Sequence, residues 1–230
     1  MVRPLNRFPD RPADGFSLVE LLVTIAILAV VLSGLTAGAI SIYRASSFVD
    51  LSTTDQNEAR TAISVLSRDI RAAAPVRPST DPAFLVAQPN EAIFTANLND
   101  SIRPRLVRFW IDEDRRLIED ATPPDPGTDP ETGLDWDVEN DAVVRYIAAF
   151  VVNDATLPLF RYFDQNGVEL TYSESDACSG PDGGTVPPPC LTAENRQRIA
   201  LVELTLVVSS DPGDRVGEFT VTHRVRLPNA

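Results

Sequence analysis

Four sets of residues in this sequence carry side chains that can do chemistry. Glu20 is a carboxylate at the head of an apolar run, Leu21 to Ile42, that holds no other charge. A carboxylate in that setting serves as one half of an ion pair. Cys178 and Cys190, the two cysteines, can bond to each other, stay as thiols or supply half a metal site. Asp112 with Asp114, Asp164 with Asn166, and Asp211 with Asp214 each set oxygens at turn spacing, and calcium takes about 6 to 8 of these. His223 is the single histidine, the residue type used most often as a general base.

Three of these sets point away from catalysis. His223 falls on the apolar side of an alternating segment, Phe219 to Leu227, which predicts a buried structural histidine instead of a base. None of the acidic pairs fits the twelve-residue calcium loop, so the chain is read as free of cofactors, with calcium the lesser alternative. Gly183-Gly184 lies in a Pro-rich loop and not between a strand and a helix, so it is no phosphate-binding motif. The cysteines show neither Cys-x-x-Cys spacing nor a nearby His, which favours a Cys178–Cys190 disulfide. Such a staple closes a short loop, contributes about 3 kcal/mol in the chain-entropy model and needs an oxidising compartment.

Glu20 is different, because its surroundings are wrong for a charge. A bilayer core takes about 20 apolar residues of helix, and an ionised Glu within it costs roughly 3 kcal/mol or more unless something pairs with it. The preceding segment carries Arg3, Arg7 and Arg11 against Asp10 and Asp14, and a positive flank stays on the cytoplasmic side. An ordinary secretory signal has small residues after its apolar run, where it is cut; here Gly15 precedes the run. A plain signal anchor with a stray polar residue is the competing reading. The string Gly15-Phe16-Ser17-Leu18-Val19-Glu20, in its place before the apolar run, resembles the class III signal of type IV pilins and type II secretion pseudopilins. The resemblance implies cleavage between Gly15 and Phe16 by prepilin peptidase and N-methylation of Phe16. It implies an apolar helix retained in the cytoplasmic (inner) membrane, with the following domain outside the cytoplasm. It also implies a partner for Glu20: the new terminal amine of a neighbouring subunit, met as a filament grows from the inner-membrane assembly platform.

A helix must carry these residues. From Tyr43 the run turns polar, yet Phe48, Leu51, Ala59, Ala62, Ile63, Leu66, Ile70 and Ala73 recur at helical spacing, and no Pro intervenes before Pro75. The pattern predicts one helix from Phe16 to about Ala74, roughly 90 Å long at about 1.5 Å per residue. A transmembrane and assembly half (16–42) would follow a leader (1–15) and precede an amphipathic half (43–74). Gly34 and Gly38 form Gly-x-x-x-Gly, a spacing that lets helices pack closely and equally weakens the helix by about 1 kcal/mol at each Gly. The segment Glu58 to Arg71 resembles the helix end of GspJ-type minor pseudopilins and PilW-type minor pilins. A solvated amphipathic face explains its Arg60, Arg68 and Arg71 equally well. Many major pilins carry a Pro within the apolar segment and this chain has none there, a departure that speaks against a bulk filament subunit.

Beyond Pro75 short apolar runs alternate with turn signals, as in an antiparallel sheet. Predicted strands are Ala92 to Asn97, Arg105 to Ile111 with Val107, Phe109 and Ile111 on one face, and Leu117-Ile118 after an Asp112-Glu113-Asp114 turn. Val143 to Val152 and Leu159 to Phe163 follow, and Val168 to Tyr172 returns from an Asn166-Gly167 hairpin turn. Ala121 to Asp137 reads as an exposed acidic loop, and the Cys-bracketed loop as one held open by Gly183-Gly184 and Pro187-Pro188-Pro189. Ile199 to Val208 and Phe219 to Leu227 alternate most cleanly and predict a hairpin around Asp211-Pro212-Gly213-Asp214. Its apolar face would cover the helix. The fold class is α+β: a long N-terminal helix packed on a C-terminal antiparallel β-sheet domain (75–230), the pilin-like fold that the resemblance implies.

The 230-residue chain carries a net charge of −13, which argues against a nucleic-acid surface. With no catalytic constellation found, the expected function is that of a non-enzymatic assembly subunit, a minor pilin or minor pseudopilin of a type IV pilus or type II secretion pseudopilus. Two rivals are a major structural pilin, against which the long irregular loops speak, and a pilin-anchored adhesin or DNA-uptake receptor, which would show a basic stripe and a steep salt dependence of DNA affinity. Mass spectrometry of protein purified from membranes is expected to find an N-terminus at Phe16 with a methylated amine. An intact leader, or a cut after the apolar run, overturns the processing assignment.

Overall fold

The structure, a computed structural model, describes residues 17–76, 82–98, 103–128, 135–137, 142–175, 178–180, 184–209 and 218–228. The chain divides into two compact units between Ser47 and Phe48. The first holds the beginning of helix α1 (Leu18–Arg71). Its Leu, Val and Ile side chains are exposed all round, and Leu18–Ser46 is long and apolar enough to cross a membrane. The hydroxyls in this stretch do not oppose that. Thr24 and Ser33 donate to the carbonyls of Leu21 and Val30 at 2.8 Å, and Thr36 to that of Leu32 at 2.7 Å, so the helix itself satisfies them where water is absent.

In the second unit, β1 (Phe84–Ala87), β2 (Glu91–Ala96), β3 (Arg105–Ile111), β4 (Leu117–Thr122) and β5 (Val144–Ala148) form a five-stranded antiparallel meander in chain order. A second sheet has the order β10-β9-β6, from β6 (Phe160–Phe163), β9 (Leu201–Val208) and β10 (Phe219–Arg226). Between them in sequence lie a small hairpin of β7 (Cys178–Ser179) and β8 (Thr185–Val186) and the short helix α2 (Ala193–Gln197). The architecture is α+β. Ala59, Ala62, Leu66 and Ile70 of α1, and Ala73 just past its end, enter one buried cluster with Phe94, Val107 and Phe109 of the first sheet and Val202, Leu204 and Leu206 of the second. The helix is thus shared by two sheets, where the sequence predicts one.

The division into two sheets has a local cause. The predicted strand Val143 to Val152 breaks after β5: the Ala149 N–H donates to the Glu58 carboxylate and Phe150 turns to φ 54°. Val151 then bridges to Val208, and the Val152 N–H donates to the Val207 carbonyl at 2.9 Å. A left-handed φ at a residue with a Cβ costs roughly 1–2 kcal/mol, and here it moves the chain from one sheet to the other. The sheets also meet through Phe84 and Tyr162, whose rings pack edge-on with centroids 5.7 Å apart.

Other boundaries differ for equally local reasons. Helix α1 ends at Arg71, short of Ala74, because the next residues pair with the end of β2: the Ala74 N–H donates to the Thr95 carbonyl and the Asn97 N–H to that of Ala72, both at 2.9 Å. Strand β4 runs to Thr122, into the expected loop, and Trp136 from that loop packs on Val86, Ile93 and Leu106 on the outer side of the first sheet. The turn at Asn166-Gly167 is as predicted, with Gly167 at φ 77°. Its return strand reduces to one bridge, Glu169 with Phe163. The Cys-bracketed loop is closed by the β7–β8 pairing and by a 2.7 Å bond from the Gly180 N–H to the Gly184 carbonyl. Strands β9 and β10 pair in register from Leu201↔Arg226 to Val208↔Phe219, while their expected turn at Asp211–Asp214 lies outside the described residues, as does the Phe16 end of the helix.

Leu66 has no exposed surface, so Leu66→Ala is expected to lower the stability of the domain by about 2–5 kcal/mol in denaturant titrations of the detergent-solubilised chain. Leu35→Ala, on the exposed apolar stretch, should leave that transition in place. Equal effects from the two would show that the α1 stripe is not what holds the domain.

Candidate assembly site

Ser17 begins the helix. Its hydroxyl accepts the Glu20 N–H at a long 3.4 Å, and its carbonyl accepts the Leu21 N–H at 3.1 Å. Ser-x-x-Glu is also the spacing of a capping box, a signal that was available in the sequence and unused. Glu20 therefore stands in the first turn of α1, where the helix dipole favours a negative charge by about 0.3–1 kcal/mol. That is well short of the roughly 3 kcal/mol cost of the charge in hydrocarbon. Among the described residues nothing engages the exposed Glu20 carboxylate. Gly15 and Phe16, the expected processing residues, lie outside the described residues. Gly34 and Gly38 face open space: a Cβ added at either would meet nothing within 4 Å. Among the described residues no contact requires glycine there.

The turn acids are used by the fold. Asp112 accepts the N–H and the Nε of Arg116 at 2.8 Å each, and Asp114 pairs with the same guanidinium at 2.7 Å. Burial pushes the Asp112 carboxyl up, but the Arg116 bonds hold it below the usual carboxylate range. Asp164 accepts the N–H groups of Val168 and Asn166 at 2.9 Å and Arg198 at 3.2 Å. The Val168 N–H is the foremost reason its carboxyl is held low. A cation at either turn would have to displace an arginine; Asp211 and Asp214 lie outside the described residues. Cys190 is buried and its backbone bridges to Ser173, while Cys178 opens β7. His223 is not buried as its pattern predicts. It lies half-buried on edge strand β10, with Nε2 3.4 Å from Arg71 Nη2, because among the described residues one flank of β10 has no further strand to cover it.

The structure also brings together charges that sequence reasoning missed. Asp55, Ala62 and Asp69 recur every seven residues on the side of α1 that faces the core, and all three are buried. Glu119 alternates with Leu117 and Ala121 on the core face of β4. Asp69 and Glu119 are each 0% exposed. Asp69 accepts Arg68 Nε at 2.7 Å, and Glu119 accepts Arg145 from the facing position of β5. The second oxygen of each, Asp69 Oδ2 and Glu119 Oε2, has no hydrogen bond. Burial pushes the Glu119 carboxyl up and the nearby Asp69 adds to this, while Arg145 and Arg68 pull it down, the net direction being up. The available signal was an acid placed inside each hydrophobic period.

A model of the prokaryotic N-terminal methylation motif matches residues 10–36, which span the Gly15-Phe16 junction, Glu20 and the first turns of α1. The motif supports a pilin- or pseudopilin-type structural subunit. It implies processing by prepilin peptidase and assembly with other pilins, and together with the apolar helix it fits membrane anchoring. No curated protein and no solved structure matches the chain.

Glu119 binds its proton more tightly in the folded chain than in the unfolded one. Its contribution to stability is therefore greatest below the unfolded carboxyl value, near about 4.3, and is lost as pH rises through the folded value. Glu119→Gln keeps an acceptor for Arg145 and removes the buried charge. In thermal melts across the acid range up to neutrality, the variant is expected to gain on the parent as pH rises. A constant difference at every pH would remove Glu119 from the pH response.

Proposed function

We propose that this chain is a minor pilin or minor pseudopilin, held by α1 in the cytoplasmic membrane with its domain outside the cytoplasm and then drawn into a filament. The observation that carries the reading is Glu20: it falls within the methylation motif, in the first turn of an apolar helix, with no partner among the described residues. Cleavage after Gly15 would leave the methylated amine of Phe16 beside Ser17. The amine of one subunit then pairs with the Glu20 carboxylate of the next, setting axial register and lowering the cost of the charge. Apolar contacts between helices supply the lateral packing, and the small surface at Gly34 and Gly38 permits close approach.

The domain makes the surface or tip contacts. A Cys178–Cys190 disulfide is part of this reading, since the compartment outside the cytoplasm permits it; the buried position of Cys190 supports it. Within the class, the likeness of Glu58 to Arg71 to the helix end of GspJ-type and PilW-type subunits favours a minor role.

Glu20→Ala is expected to be processed normally and to accumulate in the membrane, yet to be missing from filaments sheared from cells, a loss of tenfold or more if the pair contributes about 1.4 kcal/mol. Recovery of the variant in sheared filaments at the level of the parent would show that Glu20 is not an assembly contact.

A further inference from the structure

On the core side of the five-stranded sheet, toward the last turn of α1, the apolar lining gives way to charge. A cleft of about 310 Å³ opens there, with Arg68, Arg105, Glu119 and Arg145 among its lining residues. Period-two alternation explains the set. Arg105 shares its face with Val107 and Phe109 on β3, and Glu119 shares its face with Leu117 and Ala121 on β4. Val107 lies opposite Ala121, and Glu119 lies opposite Arg145.

Two groups of opposite sign are left unsatisfied in this cleft. Glu119 is fully buried with Oε2 unbonded, and the half-buried Arg105 guanidinium makes no hydrogen bond or ion pair among the described residues. A buried acceptor without a partner is costly, and a guanidinium presents a planar fork suited to a carboxylate. One ligand satisfies both if it carries a carboxylate and, on the adjacent carbon, an N–H donor. A dianion such as phosphate fits less well, because the buried Glu119 would repel its second charge. Ala72, Leu98 and Val143 complete an apolar side of the cleft, and its volume lies at the small end of ligand sites.

We propose that this cleft binds an α-carboxylate with its neighbouring N–H, as presented by a free amino acid or by the C-terminal residue of a peptide. The Arg105 fork holds the carboxylate, with the Arg145 and Arg68 guanidiniums at the mouth, and Glu119 Oε2 accepts the N–H. The site is independent of the membrane helix and of the pairing assigned to Glu20.

The test is calorimetric titration of the full-length detergent-solubilised protein with L-alanine, N-acetyl-alanyl-alanine, the C-terminal amide of that dipeptide, and inorganic phosphate. Saturable binding of alanine alone assigns a free amino acid, and binding of the acetylated dipeptide assigns a chain terminus. Either should weaken about tenfold or more in Arg105→Gln and in Glu119→Gln. Arg226→Gln, which removes an equal charge from an exposed position on β10, should bind like the parent. Arg105 lies at the start of its strand, so its variant serves as the decisive one if Glu119→Gln melts early. The proposal is overturned if neither carboxylate binds at millimolar concentration, if the amide or phosphate binds as well as the carboxylates, or if a folded Arg105→Gln binds undiminished.

Discussion

The stripe from Ala59 to Ile70 on α1 is the surface on which both sheets of the domain close. Ala59, Ala62, Leu66 and Ile70 are fully buried there, in one cluster with side chains of both sheets. The two sheets also meet directly, through the chain switch at Phe150 and Val151, the edge-on pair of Phe84 and Tyr162, and bonds from the Phe160 N–H to the Pro89 carbonyl at 2.8 Å and from the Leu159 N–H to Asn90 Oδ1 at 3.0 Å. A leucine-sized hole in that stripe therefore removes contacts from both sheets at once, and large-to-small core changes are costly when the surroundings cannot relax into the gap.

The same stripe decides where charge can be tolerated. Beside the last turn of α1, Asp69 and Arg68 of the helix meet Glu119 of β4 and Arg145 of β5. Each carboxylate has one oxygen bonded to arginine and one without a bond. Arg68 and Arg145 are respectively 62% and 47% exposed, so each arginine keeps water on one side while its carboxylate has none. Solvent screening limits what such half-exposed pairs contribute. The buried acids are thus incompletely compensated, which is why burial dominates the direction of the Glu119 shift.

Much of this was legible in sequence where periodicity was strong. Arg105 to Ile111 emerges with its predicted boundaries, and β9 and β10 pair as their alternation requires. The helix was legible for the same reason, apart from its last turn. What escaped detection had no period to read: β1 is only Phe84–Ala87, an apolar run without alternation, and α2 is a single turn. The break after β5 was hidden because a left-handed φ is normally signalled by glycine, and here the residue is Phe150. For the site, Gly15, Phe16 and Glu20 stood out by contrast with their neighbours. Asp69 and Glu119 did not, because reading a stripe by its apolar members assigns every acid to the solvent side. His223 shows the opposite error, an alternating position taken as interior on a strand that lies at a sheet edge.

The carboxylates of this chain meet apolar surroundings in two ways, and the comparison bears on what Glu20 is for. In the domain, Asp69 and Glu119 each find an arginine within the same fold, so part of the cost of burying them is offset when the chain folds. Glu20 has no such recourse among the described residues. The hydroxyls of Thr24, Ser33 and Thr36 are already bonded to the helix, and the helix dipole offers about 0.3–1 kcal/mol against a cost of roughly 3 kcal/mol. If α1 is anchored in a bilayer as proposed, the difference stays with the lone subunit there. On the proposed reading, a cation brought by a neighbour relieves it, so a charge that is unfavourable in the single chain becomes a driving force that acts only on association. A neutral residue at position 20 would make the subunit more comfortable in the membrane and take away its reason to leave.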